Sequence, residues 1–362
     1  MTNPPSTHSI LRKAIWSLFA FSVAITLGVY LFWGDSVDDL LARMEPSKFG
    51  WALILLSAGL PTVAMRWRSL LAPDEKKRSN PAFMTAVLMI GHLLNTTIPG
   101  PAGEAISGWV IHKKYAVNFG NALSALLVSR ILGLVSAFLI ACTMFAFAPF
   151  VVDPEDLDKL IYVSIFLGVL GIAASSITLF PTYPKRILEQ IRTFDILQHP
   201  FIQRLFDFAD QLLNSFIATA KRGLPAYLEA FFYSVAGHLM VALGIFYTVQ
   251  ALGYSVSWTA VFFTYSASII FSLVMFMFPG STVGFDVLFS GILHVTGGLP
   301  LKVAVLVASV VRFHQSLIAV IGGALMLFSS KKLVEEAITF ARTQWRAPNS
   351  DEREPKDTAS EN

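Results

Sequence analysis

Apolar residues occur along the chain in long runs, about six of which approach or exceed the roughly 20 residues that a helix needs to cross a bilayer. These runs are Ala14 to Trp33, Trp51 to Leu71, Asn118 to Phe150, Ile161 to Phe180, Pro225 to Leu252 and Leu301 to Phe328. A water-soluble core could not absorb so many apolar segments. The pattern therefore predicts an all-α membrane protein with about six full transmembrane helices.

Two further apolar stretches, 82–111 and 258–299, are interrupted near the middle by proline and glycine. The interruptions read IPGPAG at Ile98 to Gly103 and FPGSTVG at Phe278 to Gly284. Irregular backbone at membrane depth is tolerated only where protein or a watery cavity covers it. Each stretch is therefore predicted to be a re-entrant hairpin that enters the membrane and returns to the same side.

Composition and charge support this topology. Hydrophobic residues make up 54% of the 362 positions and charged residues only 14%, against about 25% charged in an ordinary soluble chain. With the N-terminus inside, most of the 27 basic residues fall on the cytoplasmic side, as short cytoplasmic loops require. Only Arg43, Lys48, Lys159 and Lys302 fall outside. We expect an integral protein of a bacterial cytoplasmic membrane with both termini inside.

The remaining segments are assigned by their polarity. Residues 1–13 are predicted to be a cytoplasmic N-terminus. The first apolar run is predicted to be a retained signal anchor, with a cleaved signal peptide as the alternative. Apolar residues at three- and four-residue steps across 185–222 predict an amphipathic helix, broken at Pro200. It would lie along the inner interface or over the bundle, or form an ordinary cytoplasmic connection. Residues 333–362 are predicted to be a cytoplasmic polar tail.

The two interruptions share a pattern that indicates an internal repeat. Each places Pro-Gly before a second glycine and a carboxylate, Glu104 in one case and Asp286 in the other. An arginine follows 26 positions later, Arg130 and Arg312, well inside the next apolar run. On the topology above, the hairpins enter from opposite sides. Two repeats, 14–150 and 151–332, with inverted orientation are typical of alternating-access transporters.

These residues are candidates for an anion site. A guanidinium group deep in a membrane should face a partner or a watery cavity, although each arginine could simply form a salt bridge that locks its hairpin. Glycine turns can direct backbone N–H groups at a phosphate, yet membrane glycines often only allow close packing. Asn95, beside His92 on the helix before the first turn, could contact a head group or bond across a helix interface. The candidate substrate-binding residues are Arg130, Arg312, Glu104, Asp286, Asn95, Gly100, Gly103, Gly280 and Gly284.

Other kinds of chemistry lack a motif in this sequence. The single cysteine, Cys142, leaves no thiolate metal site, and the histidines show no metal-ligand spacing. There is no P-loop. We therefore expect no catalytic residue, no metal, no cofactor and no nucleic acid partner.

The stretch GHLLNTTIPGPAGEAISGWVIHKKYAVNFGNALSALLVSRILGL resembles the lysylphosphatidylglycerol synthase transmembrane family of flippase-like membrane proteins. The resemblance covers roughly residues 10 to 332. The chain departs from the family pattern at Ser107, where an arginine is frequent, at Gly133, where an acidic residue is frequent, and at Asp286, where glutamate is commoner. Larger members carry a soluble aminoacyltransferase domain, which is not expected here, so the resemblance implies lipid translocation without lysine transfer.

Two functions are consistent with these features. In the first, the protein is a flippase for an anionic phospholipid or a polyprenyl-phosphate-linked lipid. In the second, it is a membrane-embedded enzyme of lipid or glycolipid modification, or an accessory partner of such an enzyme. Glu104 with His92 is the only candidate acid and base pair for the enzymatic alternative.

Overall fold

The computed structural model describes residues 42–95, 102–147, 182–192, 200–275 and 281–346, and single helical positions in the first and fourth apolar runs. Those single positions are 16, 20, 162, 165, 168, 169, 171–173 and 176. Most of the predicted spans 14–33 and 161–180 therefore lies outside the described residues, as do both turns, at 96–101 and 276–280. Every regular element in the described part is an α-helix.

The helices, numbered in chain order, have the following bounds: α1 Pro46–Ser69, α2 Pro73–Arg78, α3 Pro81–Asn95, α4 Ala102–Tyr115, α5 Phe119–Phe147, α6 Thr182–Ile191, α7 Pro200–Ala220, α8 Leu224–Ala251, α9 Trp258–Met275, α10 Ser281–Gly297 and α11 Leu301–Arg346. Within the described residues, α1, α5, α8 and the Leu301–Met326 part of α11 are long and apolar enough to cross a membrane. They coincide with four predicted spans. Proline stands in the first turn of α1 and of α8, where its missing N–H would have no helical partner.

Each interrupted apolar stretch forms two antiparallel helices. In the first stretch the Ser107 hydroxyl of α4 donates to the Val87 carbonyl of α3 at 3.4 Å. Nearer the turn, a methyl group at Gly91 would approach the Gly103 carbonyl oxygen to 3.0 Å. In the second stretch Thr264 of α9 and Thr296 of α10 are hydrogen-bonded at 3.1 Å. Each stretch is thus a helical hairpin, closed at the end opposite its turn.

Helix ends recur with one constant offset between the two halves of the chain. Helices α1 and α8 end at Ser69 and Ala251, α4 and α10 end at Tyr115 and Gly297, and α5 and α11 begin at Phe119 and Leu301. The difference in residue number is the same for all three pairs. We therefore call α1, α3, α4 and α5 the first set, and α8, α9, α10 and α11 the second set.

The same offset extends to a helix cap. His112 Nδ1 lies 2.6 Å from the Val117 carbonyl oxygen, and His294 Nδ1 lies 2.6 Å from the Leu299 carbonyl oxygen. A residue between them in each turn has a left-handed backbone, with φ of 52° at Ala116 and 61° at Gly298. Both hairpins therefore end in a histidine-closed turn that leads directly into the next long helix.

Helices α1 and α8 pack against each other in antiparallel orientation. Gly59 lies against Val241, and Leu56 lies against Gly244 further along the pair. Gly59 and Val241 are themselves equivalent positions, since their residue numbers differ by the same offset as the helix ends. Because equivalent positions meet where the two helices cross, the two sets are related by an approximate two-fold axis at this contact.

The contacts between helices follow the same two-fold relation between the two sets. Helix α3 of the first set packs on α11 of the second, and α9 of the second set packs on α5 of the first. The remaining contacts among α1, α3, α4 and α5 and their counterparts also occur in matching pairs, apart from a contact between α11 and α4. Each hairpin is therefore held between its own following helix and a long helix of the other set.

The predicted amphipathic segment contains α6 and α7, and α7 begins at Pro200, where the break was predicted. Arg192 Nη2 lies 2.6 Å from Asp207 Oδ1, so a salt bridge joins the two helices. Leu213 and Phe216 of α7 are buried, and α7 packs on α5. This segment therefore covers part of the helix bundle.

The helical structure at the C-terminus extends beyond the boundary predicted from composition. Helix α11 bends at Ser330, whose φ and ψ are −151° and 36°, and then continues to Arg346. Residues 333–346, assigned above to a polar tail, are therefore helical. Three of them at helical spacing are fully buried, Val334, Ala337 and Ile338, and Phe340 stacks on Trp109 of α4. This apolar stripe produces the contact between α11 and α4.

We predict that Gly244→Ala destabilises the protein more than Gly291→Ala does. A methyl group at Gly244 would lie 2.8 Å from Leu56 Cγ and 3.0 Å from the Leu56 backbone nitrogen, whereas at Gly291 it would meet nothing within 4 Å. Overpacking costs about 1–3 kcal/mol, while alanine gains about 1 kcal/mol of helix propensity over glycine. Thermal unfolding of the two variants in detergent should separate them, and equal midpoints would contradict this packing.

Candidate functional site

Arg130 and Glu104 form a partly buried ion pair between α5 and α4. Arg130 Nη2 lies 2.8 Å from Glu104 Oε1. Glu104 stands in the first turn of α4, where the positive end of the helix dipole favours a carboxylate, and its side chain is only 5% exposed. Arg130 is about 17 Å from the start of α5 at 1.5 Å per residue. The pair thus lies deep along a helix that is long enough to cross a membrane.

Arg312 and Asp286 form the corresponding pair between α11 and α10. Arg312 Nη2 lies 2.8 Å and its Nε 3.2 Å from Asp286 Oδ1, and Nε lies 3.1 Å from Oδ2. The guanidinium carbon is also 5.3 Å from the centre of the Phe285 ring. Two parallel hydrogen bonds and a ring face fix this arginine more firmly than a single bond would.

The two arginines differ in how much of their hydrogen-bonding capacity is used. The Arg312 side chain is 10% exposed and the Arg130 side chain 38% exposed, although Arg130 lies far from either end of its helix. Arg130 Nε is nevertheless buried and has no hydrogen-bond partner among the described residues. Arg130 therefore keeps donors that a further acceptor could use.

His92 lies near both ion pairs. It lies on α3, half-buried, within electrostatic range of both Arg312 and Arg130. The two ion pairs therefore belong to one polar region rather than to separate ends of the molecule. This places His92 beside the candidate site, as a head-group contact would require.

Arg66 is a third arginine in this region, and the sequence patterns did not single it out. It is 6% exposed. Its Nε donates to the Ser129 hydroxyl at 2.8 Å and its Nη1 to the Ser234 hydroxyl at 2.9 Å. Within the described part of the chain it has no carboxylate partner, and it lies within electrostatic range of Arg130.

Gly133 makes room for this arginine. A methyl group at Gly133 would overlap Arg66 Nη1 and crowd its guanidinium carbon. His238 Nε2 lies 2.9 Å from the Gly133 carbonyl oxygen, and Ser136 bonds to Ser234 at 2.6 Å. Arg66 is therefore enclosed by α5 and α8 in a set of neutral polar groups.

The other predicted site residues are placed as follows. Gly103 is buried where α4 meets Gly91 of α3, which fits a packing role. A methyl group at Gly284 would make only an ordinary 3.7 Å contact with Phe271. Asn95 is the last residue of α3, and its side chain lies outside the described residues, as do Gly100 and Gly280.

Comparison with protein families matches residues 15–323 to the lysylphosphatidylglycerol synthase TM region. The chain belongs to this family. The resemblance inferred from the Pro-Gly, Glu104 and Arg130 motif is thereby confirmed. The match and the long apolar helices establish an integral membrane protein. Searches of curated proteins and of solved structures gave no match.

Two departures from the family pattern now have a structural context. Ser107, where the family frequently has arginine, bonds to the α3 backbone. Gly133, where an acidic residue is frequent, adjoins the Arg66 guanidinium group. The absence of a side chain at Gly133 thus accommodates the neighbouring guanidinium group.

We predict that Arg130→Gln destabilises the protein and that adding Glu104→Gln restores part of the loss. The single change removes the cation that faces a buried carboxylate, which costs on the order of 3 kcal/mol, whereas the double change removes both charges of the pair. Thermal unfolding in detergent measures the coupling. Removing the exposed pair Lys48 and Glu45, 37% and 51% exposed, is the control and should change stability by less than about 1 kcal/mol. Additive effects of Arg130→Gln and Glu104→Gln would contradict the buried ion pair.

Proposed function

We propose that the protein is a flippase that moves an anionic lipid between bilayer leaflets. The observation that carries this proposal is Arg130, which is partly exposed at depth and has an unpartnered buried donor among the described residues. A charged donor in that position favours an acidic oxygen atom, and a guanidinium fork suits phosphate. The lipid would be a phospholipid or a polyprenyl-phosphate-linked species.

Each site residue has a role in this proposal. Arg130 binds the phosphate, and Arg312, fixed by Asp286, supplies a second positive charge from the other set of helices. Glu104 and Asp286 hold their arginines in place when the site is empty. The turn glycines Gly100 and Gly280 would present backbone N–H groups, and Asn95 with His92 would border the head group.

Alternating access is supported by the relation between the two sets. The constant offset of helix ends and the antiparallel crossing of α1 and α8 favour an inverted repeat. In this arrangement α3 with α4 and α9 with α10 are re-entrant hairpins that open toward opposite faces. With the predicted spans 14–33 and 161–180, the protein has six full transmembrane helices, and both termini face the cytoplasm of a bacterium.

Cysteine accessibility tests this topology. In a Cys142→Ser background, Lys77→Cys and Lys113→Cys flank the first hairpin, whereas Ser255→Cys and Leu301→Cys flank the second; all four sites are exposed. An impermeant thiol reagent added to intact cells should label the second pair only, because the first pair lies inside. Labelling of Lys77→Cys and Lys113→Cys from opposite faces would show that the first hairpin is a full span.

Transport in liposomes tests the function. Purified protein should move fluorescent phosphatidylglycerol between leaflets, as measured by quenching of the outer leaflet. Arg130→Gln and Arg312→Gln should slow it about tenfold or more, since a hydrogen bond to a charged group contributes about 1.5–3 kcal/mol.

Lys331→Gln is the matched control for these variants. Lys331 lies on the same helix as Arg312 but is 66% exposed, so its removal should leave transport unchanged. If the protein moves no lipid of a broad anionic panel, or if both arginine variants transport normally, the flippase proposal is wrong.

A further inference from the structure

The charges around the candidate site do not cancel. Arg66, Arg130 and Arg312 carry three positive charges, and Glu104 and Asp286 carry two negative charges. The apolar stretches outside the described residues, 14–33, 96–101, 161–180 and 276–280, contain no Asp, Glu, Lys or Arg in the sequence. They cannot supply the missing negative charge. Among the described residues and these apolar stretches, one positive charge is therefore left without a counter-charge.

We propose that Arg66 is a third guanidinium group of the anion site, and that the site selects a lipid head group carrying one net negative charge. The ligand class is a phosphodiester, such as phosphatidylglycerol or a glycosyl phosphodiester of a polyprenol. This inference rests on the proposed function and narrows its substrate.

The direction of the Arg66 side chain supports this role. Arg66 lies in the last turn of α1, and an arginine so close to a helix end ordinarily extends its side chain toward the interface. Here the guanidinium group instead reaches Ser129 of α5 and Ser234 of α8, each well inside its own helix. Each serine lies about 15 Å from the start of its helix at 1.5 Å per residue. The charge is therefore brought inward to the level of Arg130.

Neutral partners alone do not compensate a buried cation. Two serine hydroxyls satisfy two of the five guanidinium donors but leave the net charge in place. Arg66 and Arg130 lie close enough to repel each other. An anion bound at Arg130 would lower the free-energy cost of the excess positive charge, because it would neutralise that charge. It would also offset the repulsion between Arg66 and Arg130.

The size of the excess positive charge determines which lipid head group is preferred. A head group with one net negative charge makes the whole polar region neutral, whereas a zwitterionic one leaves it positive. A phosphate monoester, with a second pKa of about 6, carries nearly two negative charges at neutral pH and above and would make the region negative. We therefore expect the site to prefer a phosphodiester monoanion over a phosphate monoester and over a zwitterionic head group.

Arg66→Gln provides the transport test in liposomes. The rate for fluorescent phosphatidylglycerol should fall tenfold or more, while the slower rate for zwitterionic phosphatidylcholine should change less than about twofold. Arg66→Lys keeps the charge and should retain the preference for phosphatidylglycerol. Arg68→Gln removes the same group from the same helix end, where Arg68 Nε bonds to the Ser79 carbonyl oxygen, and should behave as wild type.

The outcomes separate the two proposals. If the wild-type protein transports phosphatidylglycerol and Arg66→Gln keeps the full preference, the role of Arg66 is wrong but the flippase remains. If Arg66→Lys loses the preference as completely as Arg66→Gln, a packing role replaces the charge role. If the wild-type protein transports no lipid, the proposed function fails first.

Ligand-induced stabilisation of the wild-type protein is a second test that needs no variant. In detergent at about pH 8, short-chain phosphatidylglycerol should raise the unfolding midpoint more than phosphatidylcholine or phosphatidic acid, which is then mostly doubly charged. Inorganic phosphate at the same concentration should raise it less. Equal stabilisation by all three lipids would overturn the charge rule, and equal stabilisation by inorganic phosphate would assign the site to a free anion instead of a lipid.

Discussion

The ion pairs between each hairpin and the helix after it are the constraint on which the site depends. A lone arginine or carboxylate in an apolar interior is costly, so Arg130 requires Glu104 and Arg312 requires Asp286. Each ion pair fixes the rotation of the long helix, α5 or α11, about its own axis. It also fixes the position of the hairpin helix, α4 or α10, along that long helix. The histidine-closed turns at His112 and His294 then determine how each hairpin leads into its long helix.

Much of the fold could be predicted because long apolar runs indicate helices that are surrounded by lipid and not by water. The long helices and the interrupted stretches coincide with runs read directly from the sequence. The helix from 333 to 346 was missed because its stripe is short and lies among charged residues, although Val334, Ala337 and Ile338 have the spacing of a buried face. Average composition indicates a polar segment there, and only the position of each apolar residue reveals the contact with Trp109.

The residues of the candidate site could be predicted where the same residue types recurred at the same spacing in both halves of the chain. A residue that occurs in only one half could not be predicted in this way. Carboxylate and arginine at equal spacing in both halves identified the two ion pairs. Arg66 has no counterpart, because the equivalent position in the second half is Thr248, and an arginine so near a helix end ordinarily extends to the interface. Hydropathy does not encode which way a long side chain turns. The signal in the sequence was Gly133, a small residue where the family frequently has an acidic one.

The exchanged packing of the hairpins bears on how such a chain could have arisen. Helix α3 lies on α11 and α9 lies on α5, so neither half keeps its hairpin to itself. Nearly all of these contacts occur in matching pairs, which a single half could form with a second copy of itself inserted in the opposite orientation. An antiparallel homodimer of one such half, followed by gene fusion, would give every interface of this architecture except the contact between α11 and α4.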